Sequence, residues 1–213
     1  MGKSHSIAFA SVGAVFETKL RPRLEMIAAS SPESAEKYRR AYGFARAASD
    51  WRELVADPKV DAVVIATPQG MHREIALAAA AAGKPILCEK PLGANVEDAR
   101  AIVATAEEAG IPNMSGFNYI RTPASQYARK LIADGVLGEI SWFRGEHTED
   151  FFADPEEEAT WRCEDPSTGC MGDLAPHMIN ASMALMGPIA SVMAEIETVF
   201  EKRGRVEVKN DDQ

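Results

Sequence analysis

Only three cysteines, Cys88, Cys163 and Cys170, stand in 213 residues. They are too few and too odd in number for a disulfide framework, which suits a reducing compartment and a cytoplasmic protein. Positive charge is also short. The 23 Lys and Arg face 32 Asp and Glu, for a net charge of -9 and a pI near 5.0. Such a chain repels polyphosphate and anionic lipid alike, so nucleic acid and membrane are not the expected partners. No apolar run approaches the ~20 residues that span a bilayer. The one candidate targeting segment, Ser6 to Phe16 behind Lys3, is interrupted by Ser11 and Gly13 and reads instead as a buried helix. Repeats and low-complexity stretches are absent. What is there, 46% hydrophobic and 26% charged residues, is the balance of a soluble globular chain with room for one domain or two small ones.

From Leu24 onward, short apolar runs alternate with longer segments of helical period, the pattern of a parallel sheet joined by crossover helices. Leu24 to Ala28 predicts a strand. Ser31 before Pro32 then supplies an N-cap and a first-turn proline for a helix that Gly43 stops near Tyr42. Phe44 to Ala47 fits a brief strand, and Asp50 caps a short helix through Leu54. Ala62 to Ala66 has no polar alternation, so it predicts a strand buried on both faces. Further helices are expected over Ile75 to Ala82, Val96 to Ala109 and from Pro123 to Asp134, with strands at Pro85 to Cys88 and Asn113 to Phe117. Beyond Gly138 the pattern changes. Ile140 to His147 alternates like a half-solvated strand, Met171 to Met186 reads as one helix, and Val192 to Phe200 as a further strand. A domain boundary is expected between 122 and 123, within a region from 120 to 138.

Doubly wound dinucleotide folds open with a strand, a Gly-rich turn and a helix. Met1-Gly2-Lys3-Ser4-His5 resembles the tail of such a turn, with Ile7, Ala8 and Phe9 expected to pack on the sheet. Lys90 follows a buried strand, between Glu89 and Pro91, and open α/β sheets bind ligands beyond the carboxyl ends of their strands. A lysine there can polarise a carbonyl oxygen or exchange a proton, and equally can be a solvated residue paired with Glu89. The Lys90-Pro91 bond is a candidate cis peptide. Asp173 and His177 lie four apart, so on one helix they share a face, and the carboxylate can orient the imidazole as a base or merely pair with it on the surface. His72 follows the Thr67-Pro68-Gln69 turn and fits either a ligand site or a surface helix start. Cys163, Cys170 and His177 recur every seven residues, without the close ligand pair of a zinc site, so no metal is expected.

Ala66-Thr67-Pro68-Gln69, His72, Ala82-Gly83-Lys84, Cys88-Glu89-Lys90-Pro91-Leu92, Gly116-Phe117-Asn118-Tyr119, Gly138-Glu139-Ile140 and Gly172 to His177 occur in this order. Together they resemble the glucose-fructose oxidoreductase, inositol dehydrogenase and rhizopine-catabolism (Gfo/Idh/MocA) oxidoreductase family. The resemblance implies an α/β chain: an incomplete Rossmann-like, doubly wound parallel sheet in residues 1–122, then part of an α/β domain with an open, mainly antiparallel sheet in 123–213. It implies NAD or NADP as cofactor, a sugar or polyol substrate, and a homo-oligomer where that second sheet is complete. By position, Lys90 resembles the family's catalytic lysine, His177 its proton-transferring histidine and Asp173 the acidic partner. Cofactor contacts fall to Gly2, His5, Ser30, Thr67, Pro68, Gln69, His72, Glu89, Lys90 and Asn118. Tyr119, Arg121, Trp161 and Arg162 join Lys90, Asp173 and His177 as substrate-side candidates.

Three departures qualify the match. The opening strand and the first two glycines of the phosphate-binding turn are absent, and the chain stops at Asp211-Asp212-Gln213, where the family continues through further strands. The segment Ala28-Ala29-Ser30-Ser31 lacks the acid that holds an NAD ribose, which tilts toward NADP with Ser30 as a phosphate contact. The expectation is a truncated NAD(P)-dependent sugar or cyclitol dehydrogenase. The alternative is a non-catalytic binding or interaction protein that retains the fold.

Overall fold

A computed structural model describes residues 1–150, 152–163, 168–200 and 203–204. Contacts divide the chain into two units, Met1–Gly116 and Phe117–Gln213. No described helix is long and apolar enough to cross a membrane.

The first unit runs α1 (Gly2–Val15), β1 (Met26–Ala28), α2 (Pro32–Tyr42), β2 (Arg46–Ala48), α3 (Trp51–Ala56), β3 (Val63–Ile65), α4 (His72–Ala81), β4 (Ile86–Cys88), α5 (Val96–Glu108) and β5 (Asn113–Ser115). The ends of α2 and the start of α3 carry the signals read from the sequence. Ser31, Asp50 and Asn95 cap α2, α3 and α5, each side chain accepting a first-turn backbone N–H. Gly43 and Gly83 stop α2 and α4 at φ 79° and 69°, where a side chain would be strained. Lys84, nearly buried, donates to the Asp57 carbonyl at 2.6 Å and so ties the exit of α4 to the end of α3.

All strand pairs are parallel, in two sheets of order β1-β2 and β3-β4-β5. In the doubly wound order 3-2-1-4-5-6, these are the two flanks of the first strand. No strand joins β1 to β3 among the described residues. The core lies between the second sheet and its helices, with Val63, Ile65, Ile86 and Cys88 meeting Ile75, Ala76, Ala79, Ile102 and Ala106.

Two expectations are corrected here. The strand at 62–66 is not buried on both faces: Val63 and Ile65 are, but Val64 is 37% exposed. Its register partners Leu87 and Met114 continue that second face, Met114 at 52%, because α4 and α5 pack on the opposite one. The segment from Ser6 is helical but not buried, with only Ser6 enclosed and Ile7, Val15 and Phe16 more than half exposed. Its apolar residues encircle the helix instead of forming one stripe that a sheet could cover.

The second unit holds α6 (Pro123–Ala133), α7 (Gly169–Asp173) and α8 (Ala175–Met186). Thr122 caps α6 and Pro123 opens it. The single helix expected over 171–186 is two, broken at Leu174, because Pro176 offers no N–H to extend the α7 ladder. Segments 140–147 and 192–199 contain no strand among the described residues. A period-2 pattern gives an extended chain, but a sheet needs a hydrogen-bonded neighbour as well. The polar end from 205 onward lies outside the described residues.

Candidate active site

Ligand chemistry in an open parallel sheet belongs to the turns after its strands. Three such turns in the first unit carry polar residues. After β3, Thr67 and Pro68 lead into a helical turn at Gln69–Met71. After β4 come Glu89, Lys90 and a cis Lys90-Pro91 bond. β5 ends at Ser115, beside Gly116.

His72, the first residue of α4, is 1% exposed. Its ring nitrogens face the backbone carbonyls of Thr67 at 2.9 Å and Pro91 at 3.0 Å. Carbonyl oxygens only accept, so a neutral ring donates to one at a time and an imidazolium to both. The surface-histidine expectation is thus overturned: His72 joins the β3 and β4 turns. Glu89 is 5% exposed. Its carboxylate accepts from His5 Nε2 at 2.6 Å and from the Lys90 backbone N–H at 3.2 Å. Burial alone would raise the Glu89 carboxyl, but the hydrogen bonds from His5 and Lys90 hold it below its usual range. Gly116 seals the third side, since a Cβ there would stand 3.0 Å from the Glu89 carboxylate. Lys90 itself is half-buried.

The expected cofactor contacts distribute as follows. Gly2 opens α1 with free space around it, and Met1 provides no side-chain cap for the first-turn amides. Ser30 is exposed just past β1. Buried Thr67 Oγ1 and Ser115 Oγ have no hydrogen-bond partner among the described residues. Uncapped helix amides and buried hydroxyls at strand ends fit a dinucleotide, anionic in its middle and polar along its length. His5, its side chain 20% exposed, points its imidazole at Glu89. Pro68 is exposed and Gln69 buried.

The second unit assembles its own cluster. His177, in the first turn of α8, is 8% exposed. Its ring lies against Tyr119, tilted by 37° with centroids 4.4 Å apart, meets Phe117 edge-on at 6.1 Å and lies 5.9 Å from His147. Asp173 ends α7 and accepts from Arg162 Nε at 2.9 Å, so the acid has a cationic partner that the spacing did not predict. Asn118 and Arg121 are exposed around the helical turn that contains Tyr119. The Trp161 side chain lies outside the described atoms. The sequence reading passed over Phe117 and His147. For His147 the available signal was its place at the end of the alternating segment, which Gly145 brings against Met178 of α8.

Parallel strands joined by crossover helices, with a lysine after the middle strand of β3-β4-β5 and an uncapped helix start suited to phosphate, define a dinucleotide-binding α/β class. Residues 5–117 match the family described as "Oxidoreductase family, NAD-binding Rossmann fold", and 125–213 match "GFO/IDH/MocA C-terminal domain". The chain belongs to the Gfo/Idh/MocA oxidoreductase family. A levoglucosan dehydrogenase of Pseudarthrobacter phenanthrenivorans is 40% identical over 206 residues, 95% of this chain and 53% of that protein. The scyllo-inositol 2-dehydrogenase (NADP(+)) IolW of Bacillus subtilis is 28% identical, over 86% of this chain and 51% of its own length. The solved levoglucosan dehydrogenase complex with NADH and levoglucosan superposes with a TM-score of 0.94 at 39% identity, covering 96% of this chain and 56% of that one. The chain therefore spans about half the length of the curated relatives it matches.

Proposed function

We propose that this chain is part of an NAD(P)-dependent dehydrogenase that oxidises a hydroxyl of a sugar or cyclitol. Likeness along nearly the whole chain to a levoglucosan dehydrogenase solved with NADH and levoglucosan carries the reading. Residues 1–122 are assigned the dinucleotide and 123–213 the sugar. The first-turn amides of α1, Ser30, Thr67 and Ser115 would hold the cofactor. Once bound, the nicotinamide supplies the hydride acceptor.

The protein's share is proton and charge control. His177 accepts the hydroxyl proton, and Tyr119, packed against the ring at a tilt, limits its rotation. Lys90 offers its ammonium to the oxygen as negative charge develops there. Arg162 neutralises Asp173 at the end of α7, one residue from α8, and so steadies the start of the helix that carries His177. The exposed Ser30 and the absence of an acid at the end of β1 support NADP over NAD. The three free cysteines accord with a cytoplasmic setting.

Fluorescence titration with NADH and separately NADPH tests cofactor binding, and levoglucosan and inositols then test turnover. Saturable binding with turnover is expected. In an active protein, Lys90→Ala or His177→Ala lowers kcat at least about 100-fold with little change in cofactor Kd, and unchanged kcat in either overturns that residue's role. Binding without turnover of any polyol would favour a non-catalytic binding protein.

A further inference from the structure

We propose that His5 is a positioning residue for Lys90, acting through the Glu89 carboxylate. Lys90 lies between two backbone anchors, each set by a histidine. On one side, His72 faces the Pro91 carbonyl at 3.0 Å and the Thr67 carbonyl at 2.9 Å. On the other, Glu89 accepts from the Lys90 amide at 3.2 Å with one oxygen and from His5 at 2.6 Å with the other. Gly116 closes against the same carboxylate. A carboxylate so enclosed keeps its orientation only while both oxygens are occupied. Without His5, Glu89 loses its strongest donor and turns away from the Lys90 amide, releasing the backbone that aims the lysine.

The His5 anchor differs from the His72 anchor in its reach. His72 belongs to the element next to its partners, whereas His5 sits on α1, 84 residues from Glu89 in sequence. Besides that bond, α1 is held by its one buried residue, Ser6, by packing on α2 and by the Arg21 guanidinium, which donates to the Gly13 carbonyl at 2.8 Å. Its first turn also presents the uncapped amides assigned to cofactor phosphate. A dinucleotide that steadies α1 therefore steadies Lys90 by the same contact, so that cofactor and lysine are ordered together. The inference rests on the dehydrogenase reading only for its consequence in catalysis. The mechanical link stands on this geometry alone.

Three variants of the full chain separate the roles. Gln places an N–H near the position of the imidazole Nε2, Asn reaches only as far as Nδ1, and Ala removes the donor. Amide hydrogen exchange at Lys90 is expected to quicken about tenfold or more in His5→Ala and His5→Asn and to return within about threefold of wild type in His5→Gln. NADPH protects the Lys90 amide further in wild type and not in His5→Asn. In parallel, kcat for the sugar falls about tenfold in His5→Asn with KM within about twofold, and His5→Gln restores it. Unchanged Lys90 exchange in His5→Asn overturns the link, as does a Gln variant no better than Asn. If wild type turns over no sugar, the dehydrogenase reading fails while the exchange comparison still decides the positioning role. The near-isosteric Asn and Gln pair keeps that comparison available should the alanine variant unfold.

Discussion

Replacing His72 by leucine removes a buried ring 1% exposed and keeps the volume filled. The cost is then polar and not a cavity. The Thr67 and Pro91 carbonyls, 2.9 and 3.0 Å from the ring nitrogens, lose their donor in a site that water reaches poorly. A net hydrogen bond contributes about 1 kcal/mol, and a stranded buried acceptor costs about 1–3 kcal/mol. A neutral ring satisfies one carbonyl at a time, so its loss strands one acceptor and costs roughly 1–3 kcal/mol of a stability of about 5–15 kcal/mol. Native-state amide exchange at Val63 and Glu89, whose N–H groups donate between β3 and β4, reads it directly. Exchange there is expected to quicken roughly 5- to 160-fold, since about 1.36 kcal/mol is tenfold. His72→Gln, which keeps one donor, falls between. A His72→Leu protein that exchanges within about twofold of wild type refutes the claim that this ring holds the two turns together.

Gly116→Ala sets a methyl 3.0 Å from the Glu89 carboxylate and 3.1 Å from its Cα. The backbone contact leaves no easy relief, so a loss of about 1–3 kcal/mol is expected and is checked by chemical denaturation. Asp57 is held down to about 2 by the Arg46 guanidinium and the Lys59 backbone N–H. A folded-state value below the ordinary 3.8 gives stability that is complete above about pH 4 and lost as pH falls toward 2. Asp57→Asn should flatten that part of the acid-stability profile, and an unchanged slope would refute the assignment. Burial, with the Glu89 charge as the second cause, pushes the Cys88 thiol up to about 12, whereas Cys163 and Cys170 are exposed. Iodoacetamide at neutral pH should therefore modify two thiols in the folded chain and three after denaturation, counted by mass spectrometry.

Local chemistry made much of this fold legible. Ser31-Pro32 to Gly43 delimits α2 and Asp50 caps α3, because caps and breakers act over one helical turn. Lys90 stands out by its place after an apolar strand, which topology makes a ligand position. The roles of His5 and His72 were hidden, since a partner 84 residues away, or a carbonyl belonging to proline, leaves no trace in spacing. The Arg162 to Asp173 pair was hidden for the same reason, and the break at Leu174 places Asp173 and His177 on different helices despite their helical spacing. Val64 shows the opposite limit. An apolar run marks a strand, but whether both faces are covered depends on what packs there.

The second sheet has a kinetic corollary. β3, β4 and β5 pair in sequence order, each parallel step bridged by one helix, α4 and then α5. Parallel pairing is ordinarily slow because distant strands must meet before any contact rewards the search. Here every search spans a single crossover, and the helices that perform it, rich in alanine in α4 and capped by Asn95 in α5, form on their own timescale of microseconds or less. The stretch from Val63 to Ser115 can thus assemble as a nucleus, onto which the β1-β2 pair and α1 condense later. By the same reasoning α1, with Ser6 its one buried residue, is expected to leave first on unfolding and the β3-β4-β5 layer last.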